Sequence, residues 1–200
     1  MPMRDDVSVP AGPAPIRRQR AVEVFHNRFG TLYNDEVVSP GGAAGRYLRW
    51  QWSHTGVVVV PTGPDGLAFV PTFRYPVGSA SLEFPRGGCE PDESPQDAAV
   101  RELEEETGYG CERSSLRSLG VLHAETGLIE SGVHVLTAEV KHVDGLAARP
   151  EAMESVTDPV WATHDEVLEW LRNGRITCGV TLAALALALA ERAGEPRPAR

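Results

Sequence analysis

Four carboxylates crowd one short stretch of the chain: Glu102, Glu104, Glu105 and Glu106. On a helix, Glu102, Glu105 and Glu106 stand at i, i+3 and i+4 and share one face, while Glu104 points elsewhere. Three carboxylates on one face suit a hard cation. Oxygen ligands favour Mg2+ or Mn2+, and Mg2+ commonly shares its ligands with substrate phosphates. Without compensation the cluster is costly, because like charges at i,i+4 repel and acids near a helix C-terminus oppose its dipole. Arg101 lies beside them and can pair with a carboxylate, with Glu93 in the preceding loop as a partner. A plain solvated acidic face is the alternative reading of the run taken alone.

The helix that must carry these groups has both its ends written in the sequence. Ser94 is a good N-cap, Pro95 fits the first helical position, and Asp97 follows Ser94 by three. Ala98, Ala99, Val100 and Leu103 form an inward side. Gly108 suits a left-handed C-cap, so the helix is expected over about Pro95 to Thr107.

Strands are expected around it. Ala21 to Phe25 and Arg46 to Trp52 alternate, and Gly30 to Gly45 carries turn signals. Gly56 to Pro61 is fully apolar, and Pro64-Asp65-Gly66 turns it back into Leu67 to Val70 as a hairpin. Leu116 to Leu122, Val133 to Val140 and Ser155 to Trp161 read as further strands. Thr163 to Arg172 is a helix with a capping box at Thr163 and Glu166, and Thr181 to Ala193 is the last helix. Strands around one central helix, with helices at the end, make an α+β pattern.

With 200 residues, the chain is long enough for one full domain. Met1 to Arg20 is expected to be a flexible tail, residues 21–194 a single domain, and residues 195–200 a frayed end. Its net charge of −9 argues against a nucleic-acid partner, which needs a basic face. Cys89, Cys111 and Cys178 are odd in number and lack a CxxC pair, which speaks against a disulfide framework and for a reducing, cytoplasmic setting. Met1 to Arg20 has no apolar core of a signal peptide. Val180 to Ala190 is too short to span a bilayer, so no membrane partner is expected.

Gly87 to Tyr109 reads GGCEPDESPQDAAVRELEEETGY. It resembles the Nudix box, Gly-x5-Glu-x7-Arg-Glu-(apolar)-x-Glu-Glu-x-Gly-(apolar). Gly87, Glu93, Arg101, Glu102, Leu103, Glu105, Glu106, Gly108 and Tyr109 match every position. The resemblance implies an α/β/α sandwich with a mixed sheet and a loop–helix–loop catalytic box. It implies metal-assisted attack of water on a diphosphate linked to another moiety. Glu102 and Glu106 would be the main metal ligands, Glu105 a further one, and the carbonyl of Arg86 another. Glu93 would orient the set through Arg101. The implied cofactor is Mg2+, with Mn2+ as a substitute.

The flanks are similar to ADP-ribose and related nucleotide-sugar pyrophosphatases: Phe73-Arg74-Tyr75-Pro76, Leu82-Glu83-Phe84-Pro85, and Val160 to Leu187. By that similarity Arg74 and Glu83 would bind substrate. Two departures bear on the substrate. Nucleotide-sugar members often have Pro-Ala-Gly before the box, and this chain has Pro85-Arg86-Gly87, where Arg86 either contacts phosphate or faces solvent. ADP-ribose pyrophosphatases also often place a proline beyond the box, where this chain reads His123-Ala124-Glu125-Thr126-Gly127, without one. A loop glutamate assists catalysis in similar enzymes. Glu130 is the candidate here and Glu125 the alternative. His134 is expected to be structural, and Trp50, Trp52 and Tyr75 to pack in a core or interface. The function expected is hydrolysis of ADP-ribose or a related nucleotide sugar to two monophosphates. The alternatives are another nucleotide (a triphosphate, dinucleotide or coenzyme) or a non-catalytic nucleotide-sugar sensor. Residues 21–52 would supply strands for a homodimer.

Overall fold

The computed structural model describes residues 13–142, 147–149 and 153–194. Two sheets organise the chain. The first is built on β3 (Gly30–Val38). One edge of β3 carries β1 (Arg17–Arg20) against Glu36–Val38 and β2 (Glu23–Asn27) against Gly30–Tyr33. The other edge carries β4 (Ala44–Trp52) in unbroken antiparallel register, from Gly30↔Trp52 to Val38↔Ala44.

This corrects two expectations. Arg17–Arg20 fall within the expected flexible tail, yet they pair with β3, and Arg20 forms a two-pronged ion pair with Glu36. The stretch with turn signals is mostly a nine-residue strand, and the turn is confined to Ser39–Ala43. The rest of the expected tail, residues 1–12, and the expected frayed end, residues 195–200, lie outside the described residues.

The second sheet holds β5 (Gly56–Gly63), β6 (Gly66–Arg74), β7 (Ser79–Glu83), β8 (Arg86–Gly88), β9 (Tyr109–Cys111), β10 (Arg117–Leu122), β11 (Val133–His142) and β12 (Val160–Ala162). Its spine runs β10-β11-β5-β6-β12. Only β11 and β5 pair in parallel, so the sheet is mixed. The expected strand at Ser155–Trp161 shrinks to β12, preceded by a single bridge between Val156 and Thr72.

The apolar run in β5 explains the layering. Successive strand side chains face opposite sides. Val57 and Val59 therefore pack with Ala98, Ala99 and Leu103 of α1 (Pro95–Thr107), and with Leu136 and Ala138 of β11. Val58 and Val60 pack on the other face with Phe69, Val135 and residues of α2 (His164–Arg172) and α3 (Gly179–Gly194), among them Val167, Ala184 and Leu185. The result is the α/β/α sandwich of the α+β class. Phe69 stacks on Phe84 at 4.6 Å, tying β6 to the segment before the box. Among the described residues no helix is long and apolar enough to cross a membrane. All three cysteines are free thiols.

Candidate active site

The ends of α1 follow from its sequence. The Ser94 hydroxyl accepts from the Asp97 amide, Pro95 opens the helix, and Gly108 closes it at φ 69°, its N–H donating to Glu104. The helix packs its alanines and Leu103 on the sheet. That places Glu102 and Glu106 at its buried margin and leaves Glu105 half exposed.

Arg101 organises this face. Its Nε and Nη2 donate to Glu93 Oε1 and Oε2 at 3.0 and 2.9 Å. Nη1 donates to Glu102 at 2.8 Å and to Glu105 at 3.1 Å, and Nη2 also reaches the Gly88 carbonyl at 2.8 Å. One planar guanidinium thus satisfies three carboxylates and one strand end. Glu93 also accepts from the Glu90 amide, which closes the loop before the helix. The hydrogen bonds from Arg101 hold the Glu93 carboxyl below the usual range.

Gly87 lies directly under Glu102. A Cβ at this position would come within 2.0 Å of Glu102 Oε1, so any side chain would evict the carboxylate. Glu106 Oε2 accepts from the Arg86 amide at 3.2 Å. Burial pushes the Glu106 carboxyl up to about 8, helped by the charges of Glu154 and Glu102. Burial likewise raises Glu102 to about 7, against the pull of Arg101.

Beside them, the Glu83 carboxylate is buried between two guanidinia. Arg74 Nη2 donates to Glu83 Oε2 at 2.8 Å, and Arg86 Nη2 forms an ion pair with the same oxygen at 2.9 Å. The structure thus brings together Glu93, Arg101, Glu102 and Glu105 in one network. Glu106, Arg86, Glu83 and Arg74 form a second group adjoining it.

Glu130 is not drawn into either group. Its carboxylate pairs with Arg49 of β4 and its amide donates to the Trp50 carbonyl at 3.0 Å, so it ties the β10–β11 loop to the first sheet. Glu125 caps its own turn by accepting from the Gly127 amide. The acidic residue whose charge reaches both Glu102 and Glu106 is Glu154. Hydrogen bonds from Phe73 to Ser155 and from Thr157 to Pro71 lay its segment along β6. Nothing local in its sequence marks it. It stands in an irregular stretch with no helical or strand period, and only the long-range pairing with β6 places it.

His134 stands in the parallel register opposite Val57. Trp50 meets Trp52 edge-on at 5.4 Å, whereas Tyr75 is 90% exposed, against the expectation that it packs.

Among the described residues, no three His, Cys, Asp or Glu side chains already converge as a metal centre does, and Arg101 bridges Glu102 and Glu105 instead. The donor set still fits a hard divalent cation. Two buried carboxylates repel each other, and a glycine clears the space beside one of them.

Stability should report this. A carboxyl with a raised folded-state pKa favours the fold when protonated, fully so below its ordinary value of 4.5. That contribution is lost as pH climbs through about 7 and about 8. Metal-free protein should therefore melt about 5 °C lower at pH 8.5 than at pH 6. Millimolar Mg2+ should recover most of the loss at pH 8.5 and little at pH 6. Melting curves at both pH values test this, and a Tm indifferent to pH and Mg2+ would refute it.

The NUDIX domain model matches residues 52–177. A methanol dehydrogenase activator of Bacillus methanolicus is 30% identical over 169 residues, covering 82% of this chain and 86% of that protein. An ADP-ribose pyrophosphatase of Bacillus subtilis (strain 168) is 34% identical over 119 residues, covering 58% of this chain and 62% of that protein. The crystal structure of an ADP compounds hydrolase shares the fold at a TM-score of 0.78 and 21% identity, covering 94% of this chain and 100% of that one. The matched region begins at the end of β4 and contains the whole carboxylate helix. This chain belongs to the Nudix family of hydrolases.

Proposed function

We propose that the protein hydrolyses the diphosphate bond of ADP-ribose or a related nucleotide sugar, releasing two monophosphates. Water adds across the P–O–P bridge: its oxygen bonds to one phosphorus, and the bridging oxygen leaves with the other. The observation that carries this reading is the α1 face, with Glu102 and Glu106 buried side by side against the strand that contains Arg86 and Gly87. The name of the Bacillus subtilis relative, an ADP-ribose pyrophosphatase, supports an ADP-linked substrate.

Glu102, Glu105, Glu106 and the carbonyl of Arg86 are the groups we assign to Mg2+, with Mn2+ as a substitute. Bound metal supplies charge neutralisation on the phosphates and acidifies a water. The chain does the rest. Arg101 orients Glu102 and Glu105 and opposes the protonation of Glu102, and Glu93 holds Arg101. We place Arg74 and Glu83 against the substrate, and Glu154 in the assisting role that the sequence reading gave to Glu130. The support for Glu154 is its charge coupling to both buried glutamates.

The test is a hydrolysis panel with Mg2+, read by mass spectrometry of the products. ADP-ribose should give AMP and ribose 5-phosphate. Silence on every diphosphate-linked nucleotide would end the reading.

We assign the protein to the cytoplasm and to a homodimer. The first sheet and its β2–β3 turn expose Val24, Phe25, Phe29, Tyr47, Leu48 and Trp52, apolar residues that we assign to contact with a second copy. Light scattering at micromolar concentration should return twice the monomer mass, and Phe25→Glu should halve it. A monomer at every concentration would exclude this assembly.

A further inference from the structure

Arg86 is where this chain departs from the Pro-Ala-Gly of similar nucleotide-sugar enzymes, and the structure gives its side chain a definite place. It turns neither to open solvent nor to the α1 carboxylates but to Glu83, whose side chain is only 3% exposed. Arg74 already donates to that carboxylate from β6, through Nη2 at 2.8 Å and Nε at 3.3 Å. A pair of Arg74 and Glu83 alone would be neutral. With Arg86 added, one carboxylate faces two guanidinia and the cluster carries a surplus positive charge.

Converging two guanidinia on one acceptor leaves N–H donors unused on both, since each group has five. The Arg74 and Arg86 side chains retain 38% and 25% exposure, so those donors are open to a ligand. The cluster also adjoins the α1 face directly: the Arg86 amide donates to Glu106, and the Arg74 charge reaches Glu106. A rigid fork of planar donors beside a diphosphate site matches a phosphoryl group better than a neutral sugar hydroxyl.

We propose that Arg74, Glu83 and Arg86 form a phosphate subsite, and that Arg86 is a specificity-determining residue favouring nucleotides with a phosphoryl group beyond the diphosphate being cleaved. This rests on the hydrolase reading above and deepens it. The extra phosphoryl can lie in the polyphosphate chain or as a monoester on a ribose, and two substrates separate these sources. Diadenosine tetraphosphate carries it in the chain. ADP-ribose 2′-phosphate carries it as a monoester.

The experiment compares wild type, Arg86→Ala and Arg86→Lys on ADP-ribose and these two probes with Mg2+. In wild type, at least one probe should show a KM about tenfold below that of ADP-ribose. Arg86→Ala should raise that KM about tenfold more than it raises the KM of ADP-ribose, and this ratio is the quantity read. Arg86→Lys should recover part of the loss, since it restores charge without the fork. The probe that responds identifies the source.

Equal changes on all three substrates, or none in a variant that melts like wild type, would overturn the proposal. If Arg86→Ala does not fold, Arg86→Gln reads the same ratio. Calorimetry with α,β-methylene-ATP and α,β-methylene-ADP gives a readout without turnover, in which Arg86→Ala should abolish wild-type preference for the triphosphate. A wild type that hydrolyses nothing but shows this preference refutes the hydrolase reading and retains the phosphate subsite. A wild type that hydrolyses ADP-ribose but shows no dependence on Arg86 does the reverse.

Discussion

Glu106→Gln should lower kcat/KM by at least about a hundredfold while leaving the protein folded. Loss of groups that merely support metal ligands costs about 10–100-fold, and Glu106 is placed closer to the chemistry than those. The substitution is nearly isosteric. The new amide oxygen can still accept from the Arg86 amide, so the strand before the box stays docked. The lost feature is one negative charge in a site where burial and neighbouring carboxylates already disfavour it. The stability signature therefore has the opposite sign to the activity loss. Metal-free Glu106→Gln should melt at or above the wild-type temperature at pH 8.5, and its stabilisation by Mg2+ should largely vanish. Steady-state kinetics with melting curves on the same preparations separate the two effects. A variant that keeps more than a tenth of wild-type activity would remove Glu106 from the metal site.

Arg101→Met should be the most destabilising single change on this face. Methionine keeps much of the side-chain length, so little volume is lost. The guanidinium's five hydrogen bonds to Glu93, Glu102, Glu105 and Gly88 disappear, and Glu102 is left buried without the cation that opposes its protonation. Breaking one side of a buried pair costs about 3–5 kcal/mol. Arg101 and Glu105 are partly exposed, which brings the expectation here to about 3 kcal/mol and about 8 °C in Tm. Arg101→Lys should recover less than half of this, because an ammonium cannot bridge Glu93 and Glu102 as a planar fork does. Mg2+ should restore part of the melting temperature of Arg101→Met by supplying a cation to Glu102. Differential scanning calorimetry with and without Mg2+ decides this. A loss below about 1 kcal/mol would mean that the network is ornamental to the fold.

The departures from expectation share a cause. The expected tail, Met1 to Arg20, takes in Arg17–Arg20. They are a strand because Glu36–Val38 of β3 offers a free edge and Glu36 a matching charge. Glu130 had the better sequence claim to the assisting role, by resemblance to a loop acid beyond the box. Arg49 claims its carboxylate. Glu154, which no pattern singled out, is aligned along β6 and exerts its charge on the site. For Arg86 the sequence leaves phosphate contact and solvent open, and its pairing with Glu83 fixes where the side chain lies.

The sequence by itself determined the carboxylate helix. Ser94, Pro95 and Gly108 set its limits, i, i+3, i+4 spacing put three glutamates on one face, and Gly87, Glu93 and Arg101 stood at the spacings of the Nudix box. It also determined the α+β class and a fully apolar β5, while the α/β/α sandwich entered only through the family resemblance. These are local relations, written in neighbours a few residues apart, and short-range geometry reads them directly. Only the tertiary structure decided which distant charges meet. The Arg74–Glu83–Arg86 cluster depends on the β6–β7 pairing, and the approach of Glu154 to Glu106 and of Glu130 to Arg49 on contacts across tens of residues. An ion pair needs a few ångströms of proximity, and sequence distance carries no information about that until the sheet has closed.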